Sequence, residues 1–282
     1  MPATYAHWAF GRDCIELMPK EIQRIIHEHR DIYNLGVHGP DIFFYDLAHK
    51  NITKYGTNMH YIPAAEFFKN AKQVYKEYPE FKDEVLTYIF AFLTHFTLDS
   101  VAHGYVERKK EVSKISHNKI EAQWDRHLMK LDDRTPNLVD RAESLRPNKK
   151  NSNVISLFFP FAPQDILRTC RAQRKVIETL NSISTRNQKF FERILRKRKL
   201  NDFADLFIGF EDEKICEDSN LRLDKLRNKA YKLYPKLFSN LTEYLNDSNK
   251  LNKYFNHDFS TWPDYKEIPV LPYKEEVSYV VK

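Results

Sequence analysis

Glycine is scarce in this chain, 6 of 282 residues, against an ordinary share of about 7%. β-rich folds consume glycine at turns and bulges, where positive φ is required, so the shortage favours an all-α fold. Cysteine is scarcer still. Cys14, Cys170 and Cys216 are odd in number and far apart, which excludes a disulfide framework and any CxxC metal knuckle. Any metal must therefore be held by histidine and carboxylate. No stretch approaches the ~20 uninterrupted apolar residues of a spanning helix, and the first residues lack the basic-then-apolar pattern of a secretion signal. The expectation is a chain with no transmembrane segment that stays in the cytoplasm.

The composition does supply a core. Hydrophobic residues make up 42% and charged residues 30%, the balance of one large domain or one domain with an appendage. Charge is unevenly placed: residues 141–200 hold 15 Lys and Arg against 4 Asp and Glu, and the rest of the chain holds 30 against 35. The densest part is Arg193, Arg196, Lys197, Arg198 and Lys199. Such a run is either a solvated helix face or a patch that meets phosphate groups on nucleic acid or on an anionic membrane.

Apolar spacing predicts helices over residues 20–33, 63–78, 81–108, 111–131, 164–200 and 221–246. Residues 34–46, with Gly36, Gly39 and Pro40, read as a loop. Residues 132–153 read as a linker with room for a short helix, and the last thirty, with Pro263, Pro269 and Pro272, read as extended. The run "LFFPFAP" at 157–163 has two readings, an apolar wedge that touches lipid or a segment packed into the core.

The histidines carry the chemistry. "HFTLDSVAH" sets His95, Asp99 and His103 four residues apart, and each such step turns only about 40° around a helix, so the three share one stripe about 12 Å long. One ion cannot reach both ends; the spacing suggests His95 and Asp99 on one ion, His103 on a neighbour, and Asp99 able to bridge. "HNKIE" sets His117 and Glu121 on one face of the next helix. Imidazole and carboxylate are the ligands zinc takes when thiolates are absent. Pairs of this kind also arise as plain helix-surface pairings, and His95, which interrupts "YIFAFLTHFTL", is alternatively a core histidine with a buried partner. His27 and His29 in "HEHRD" fail the HExxH pattern because Asp31 stands at the second histidine position. With His49, His127 and His257 they are expected at the surface. An HD phosphohydrolase reading has only His257-Asp258 to offer.

Together "MPATYAHWAFG", "GVHGPDIFFYD", "MHY", "HFTLDSVAH" and "HNKIE" resemble the zinc-dependent phospholipase C family, in its branch of bacterial homologues without a secretion signal. The resemblance spans about residues 1–130. It implies an all-helical phospholipase C/P1 nuclease-like domain over residues 1–200, then a C-terminal helical extension and extended tail over 201–282. It also implies a cluster of two or three zinc ions that polarises a phosphodiester and activates water. Carried over residue by residue, Asp41, His60, His95 and Asp99 resemble the first zinc site, with Asp41 also the general base. His103, His117 and Glu121 resemble the second, although the step from Asp99 to His103 is shorter than in secreted members. His7 resembles the histidine of the third, where Asp99 bridges. Secreted members complete that third site with a terminal tryptophan; here Met1 and Pro2 lead and Trp8 is internal. The third ion is thus expected to be absent, weakly held, or completed by a terminus exposed on removal of Met1. The implied function is hydrolysis of a phospholipid or related phosphodiester, with peripheral membrane contact. A zinc nuclease acting on nucleic acid, which the basic stretch would serve, is less favoured, and a non-catalytic metal-stabilised binding module is the third reading.

Overall fold

A computed structural model describes residues 4–183, 185–209, 211–247, 250–260 and 265–281. Met1, Pro2 and Pro263 fall outside the described residues, so the completion of the third site through the chain terminus is not addressed by it. Among the described residues there is no strand, and the all-α expectation holds. The helices are α1 (Thr4–Cys14), α2 (Lys20–Glu28), α3 (Arg30–Gly36), α4 (Lys50–Met59), α5 (Ala64–Glu77), α6 (Lys82–Ser113), α7 (His117–Leu131), α8 (Lys149–Ser156), α9 (Pro163–Ser182), α10 (Thr185–Lys197), α11 (Asn201–Ala204), α12 (Glu217–Leu245) and α13 (Tyr273–Ser278).

The fold is built around α6. Asp83 and Glu84 in its first turn and Lys110 in its last suit the helix dipole, and Lys114 ends it in a left-handed conformation at φ 61°. From Val85 to Val106 nearly every side chain is buried, because α1, α3, α5, α7 and α12 surround it. A helix wrapped on all sides needs no polar stripe, which is why its apolar residues run right round. By length and composition the segment Pro79–Ser113 is apolar enough to cross a membrane, but 89% of its apolar window is buried inside the protein.

The expected helix over 20–33 is divided at His29, and residues 34–46 are not an open loop: α3 runs to Gly36 and a 3-10 turn spans Gly39–Tyr45. The tail is not simply extended either, since it contains α13. Of the two readings of "LFFPFAP", core packing is the one observed. Phe158 and Phe159 are buried, with ring centroids 5.8 Å from Phe67 and 4.9 Å from Phe43 respectively.

Two tertiary ties matter for the site. The Asp125 carboxylate of α7 accepts the backbone N–H groups of Tyr5 and Ala6 at 3.1 and 2.8 Å, satisfying the first turn of α1 from outside its own helix. The segment after α12 returns across the molecule: Phe259 N–H donates to the His60 carbonyl at 3.2 Å, and Ala64 N–H to the His257 carbonyl at 2.9 Å.

Candidate metal centre

α6 presents His95, Asp99, His103 and Glu107 at four-residue intervals. Opposite, α7 starts at His117, its N-cap Ser116 accepting the Lys119 N–H, and Glu121 lies one turn on. α1 contributes His7. Asp41 comes from the 3-10 turn and His60 from the C-terminus of α4. Gly56 lets α4 lie against that turn, because a Cβ there would sit 2.7 Å from the Phe43 Cβ and 3.2 Å from the Pro40 carbonyl oxygen. Gly39, at φ 50°, is pressed against the His95 ring, which a Cβ would meet at 2.4 Å.

All eight residues singled out in the sequence are brought together. Asp41 Oδ1 lies 3.0 Å from His60 Nε2. Asp99 Oδ2 lies 2.9 Å from His95 Nε2, and its Oδ1 lies 3.2 Å from His7 Nε2 and 3.5 Å from His103 Nε2. His103 Nε2 continues to Glu121 Oε1 at 3.2 Å, and Glu121 Oε2 to His117 Nε2 at 3.1 Å. The ligand atoms gather into three groups: Asp41, His60, His95; His7, His95, Asp99; and His103, His117, Glu121. Asp99 thus groups with His7 and His95 rather than with Asp41 and His60. Seven of the eight are buried. His117, 21% exposed, is the one open to solvent.

This arrangement fits metal ions on its own donor chemistry. His60 Nδ1 donates to the Gly56 carbonyl at 2.7 Å, which leaves Nε2 with a lone pair facing the Asp41 carboxylate. His117 Nδ1 donates to Glu107 at 2.7 Å, which leaves its Nε2 facing Glu121. Two acceptors face each other at each place, so a cation or a proton must lie between them. His95 Nε2 and Asp99 Oδ2 stand 2.9 Å apart, yet neither has a hydrogen-bond partner. Buried polar atoms without partners are costly, and these two converge on shared space rather than on each other.

The electrostatics agree. Burial pushes the carboxyls of Asp99, Asp41 and Glu121 upward, but nearby positive charge, in which the surrounding imidazoles share, outweighs it and holds all three well below the usual range. Burial likewise pushes His117 down, and Glu121 with Glu107 reverses this and carries it up to about 9. Glu107 is itself held at about 2, chiefly by its hydrogen bond from His117.

The sequence reading missed four contributors. Glu107 is the next four-residue step beyond His103 on α6, and that spacing was the available signal. His38 is buried with an unpartnered Nε2; burial and the nearby His7 and His95 push it down to about 3, so it is neutral. Asp125 holds α1 in place, and Phe259 lies 5.8 Å from the His60 ring and 6.0 Å from that of His95. Of the histidines expected at the surface, His27 is exposed and His49 is 46% exposed. His29, His127 and His257 are only partly exposed, with His127 held by Asp224 at 2.6 Å. The cavity beside α1, of about 380 Å³ and lined by Trp8, Arg30 and Arg141 among others, includes none of the eight.

No curated protein and no solved structure matches this chain. The family model described as zinc dependent phospholipase C matches residues 6–162, a span that contains all eight residues of the cluster. With that match over more than half its length, the chain belongs to the zinc-dependent phospholipase C family.

Proposed function

We propose that the protein is a zinc-dependent phosphodiester hydrolase that cleaves a phospholipid or a closely related phosphodiester. The observation that carries this reading is the gathering of imidazole nitrogens against carboxylates in two sets, His60 against Asp41, and a run from His95 through Asp99, His7, His103 and Glu121 to His117 and Glu107. In it, Asp41, His60 and His95 would hold one ion, and His103, His117 and Glu121 a second. Because His95 Nε2 can serve only one ion, a third would rest on His7 and Asp99. Bound zinc lowers the pKa of water to about 7 and neutralises phosphoryl oxygens.

The chain's own groups do the rest. Asp99, with one oxygen toward His95 and the other toward His7 and His103, sets the spacing between sites. Asp41, ionised across the working pH range, takes the proton of the attacking water. Gly56 and Glu107 fix the His60 and His117 tautomers so that both Nε2 atoms point inward. The exposed edge of His117 is the side from which a phosphodiester reaches the cluster.

The test compares two histidine-rich positions. Zinc-loaded protein is expected to hydrolyse phosphatidylcholine or a chromogenic phosphocholine ester. Asp99→Ala should lose metal and lower hydrolysis by at least about a thousandfold, whereas His27→Ala, an exposed residue, should change neither. Equal behaviour of the two variants would refute the assignment.

A further inference from the structure

α10 lies beyond the matched residues 6–162 and packs against little besides α11. Its sequence divides it lengthwise. Phe190, Phe191, Ile194 and Leu195 fall on one arc at helical spacing, and Lys189, Arg193, Arg196 and Lys197 fall on the other. The apolar arc is not folded into the core: Phe190 is 60% and Phe191 41% exposed, and Leu200 and Phe203 just beyond are exposed as well. The basic residues, with Arg198 and Lys199, are all exposed.

The position of α10 adds a second, independent observation. Arg196 pairs with Asp205 at 2.6 Å, and the other Asp205 oxygen accepts the Ser116 hydroxyl at 2.5 Å. Ser116 is the N-cap of α7 and precedes His117, the one solvent-open residue of the metal cluster. The amphipathic helix is therefore tied, through a single carboxylate, to the residue beside the solvent-open edge of the candidate cluster.

We propose that α10, with Leu200 and Phe203, is an interfacial helix that seats the protein on an anionic membrane surface. Basic side chains meet lipid phosphates while the phenylalanines enter the headgroup boundary. A nucleic acid duplex would engage the basic arc alone, and a single strand could stack bases on the phenylalanines but finds no stacking face on Ile194 and Leu195, which complete the apolar arc; a bilayer uses the whole helix. The inference deepens the phospholipase reading by naming the surface on which the enzyme meets its substrate.

The test is co-sedimentation of the full zinc-loaded chain with vesicles of phosphatidylcholine, with and without phosphatidylserine, alongside hydrolysis of a soluble chromogenic phosphocholine ester. Wild type should sediment with the anionic vesicles and be released by salt. A Phe190→Ser/Phe191→Ser variant and a Lys189→Gln/Arg193→Gln/Lys197→Gln variant should each bind about tenfold or more weakly, with unchanged melting temperature and unchanged soluble turnover. Absence of vesicle binding by wild type, variants that sediment like wild type, or binding of single-stranded DNA in place of vesicles would overturn the proposal. Vesicle binding without hydrolysis of either substrate would uphold the helix and refute the hydrolase reading.

Discussion

At His117 two carboxylates hold one imidazole from its two nitrogens, Glu121 at Nε2 and Glu107 at Nδ1, and the proton they stabilise is one that a metal ion would have to displace. Without an ion, Glu107 and Glu121 hold the ring protonated to a pKa of about 9. Raised above its unfolded value of about 6.5, this group stabilises the metal-free fold fully below that value and ceases to do so as pH rises through 9. Zinc requires the neutral ring, so its binding at pH 7 should expel a proton. Calorimetry of zinc uptake in buffers of different ionisation enthalpy should show a buffer-dependent heat, smaller for Glu107→Gln, which should also bind zinc about 10–100-fold more weakly. A heat independent of buffer would contradict the assignment. At this scale the sequence was readable wherever candidate ligands share a helix: His95, Asp99 and His103, and likewise His117 and Glu121, declare themselves by four-residue spacing. Asp125 did not, because its partners are backbone N–H groups 119 and 120 residues away, and no local pattern encodes such a contact. His7, Asp41 and His60 were reached by resemblance alone, since each comes from a different element.

Among the elements, α6 was the most legible, because an apolar run that long is stable only as a helix withdrawn from water. α4 was not legible. Its sequence "KNITKYGTNM" mixes β-branched residues, asparagine and glycine, all weak helix formers, and the helix stands by its fit against the 3-10 turn of residues 39–45. Gly56 is the contact that permits this fit, so Gly56→Ala should cost about 1–3 kcal/mol by overpacking and shift His60 away from Asp41. Denaturant unfolding of zinc-free protein measures the first effect. An unchanged midpoint would show that the turn yields freely and that Gly56 does not set the approach. The break at His29 and the turn at Asp41 were hidden for a related reason: tertiary contacts, not local apolar period, decide where those short segments stop.

For the whole molecule, the sequence indicated an all-α chain with regional charge, and the structure assigns those properties to parts. The densest part of the basic excess lies on α10 and the two residues after it, while Phe158 and Phe159 of the apolar "LFFPFAP" run pack inside among Phe43, Phe67 and Tyr88. The C-terminal part crosses back to the site through Phe259 and is anchored by a buried ion pair, Arg222 to Glu276 at 2.7 and 2.6 Å, neither of which a local reading could anticipate. What unites the parts is a cluster of five imidazoles and three carboxylates in or beside a hydrophobic core, an arrangement that would be costly without cations to share. The most direct test is the metal content of each chain, by elemental mass spectrometry on protein purified without a histidine tag and without chelator. The account predicts two zinc ions per chain, rising to three where the His7 and Asp99 site is filled. A chain that carries no zinc and takes none up when it is supplied would contradict it.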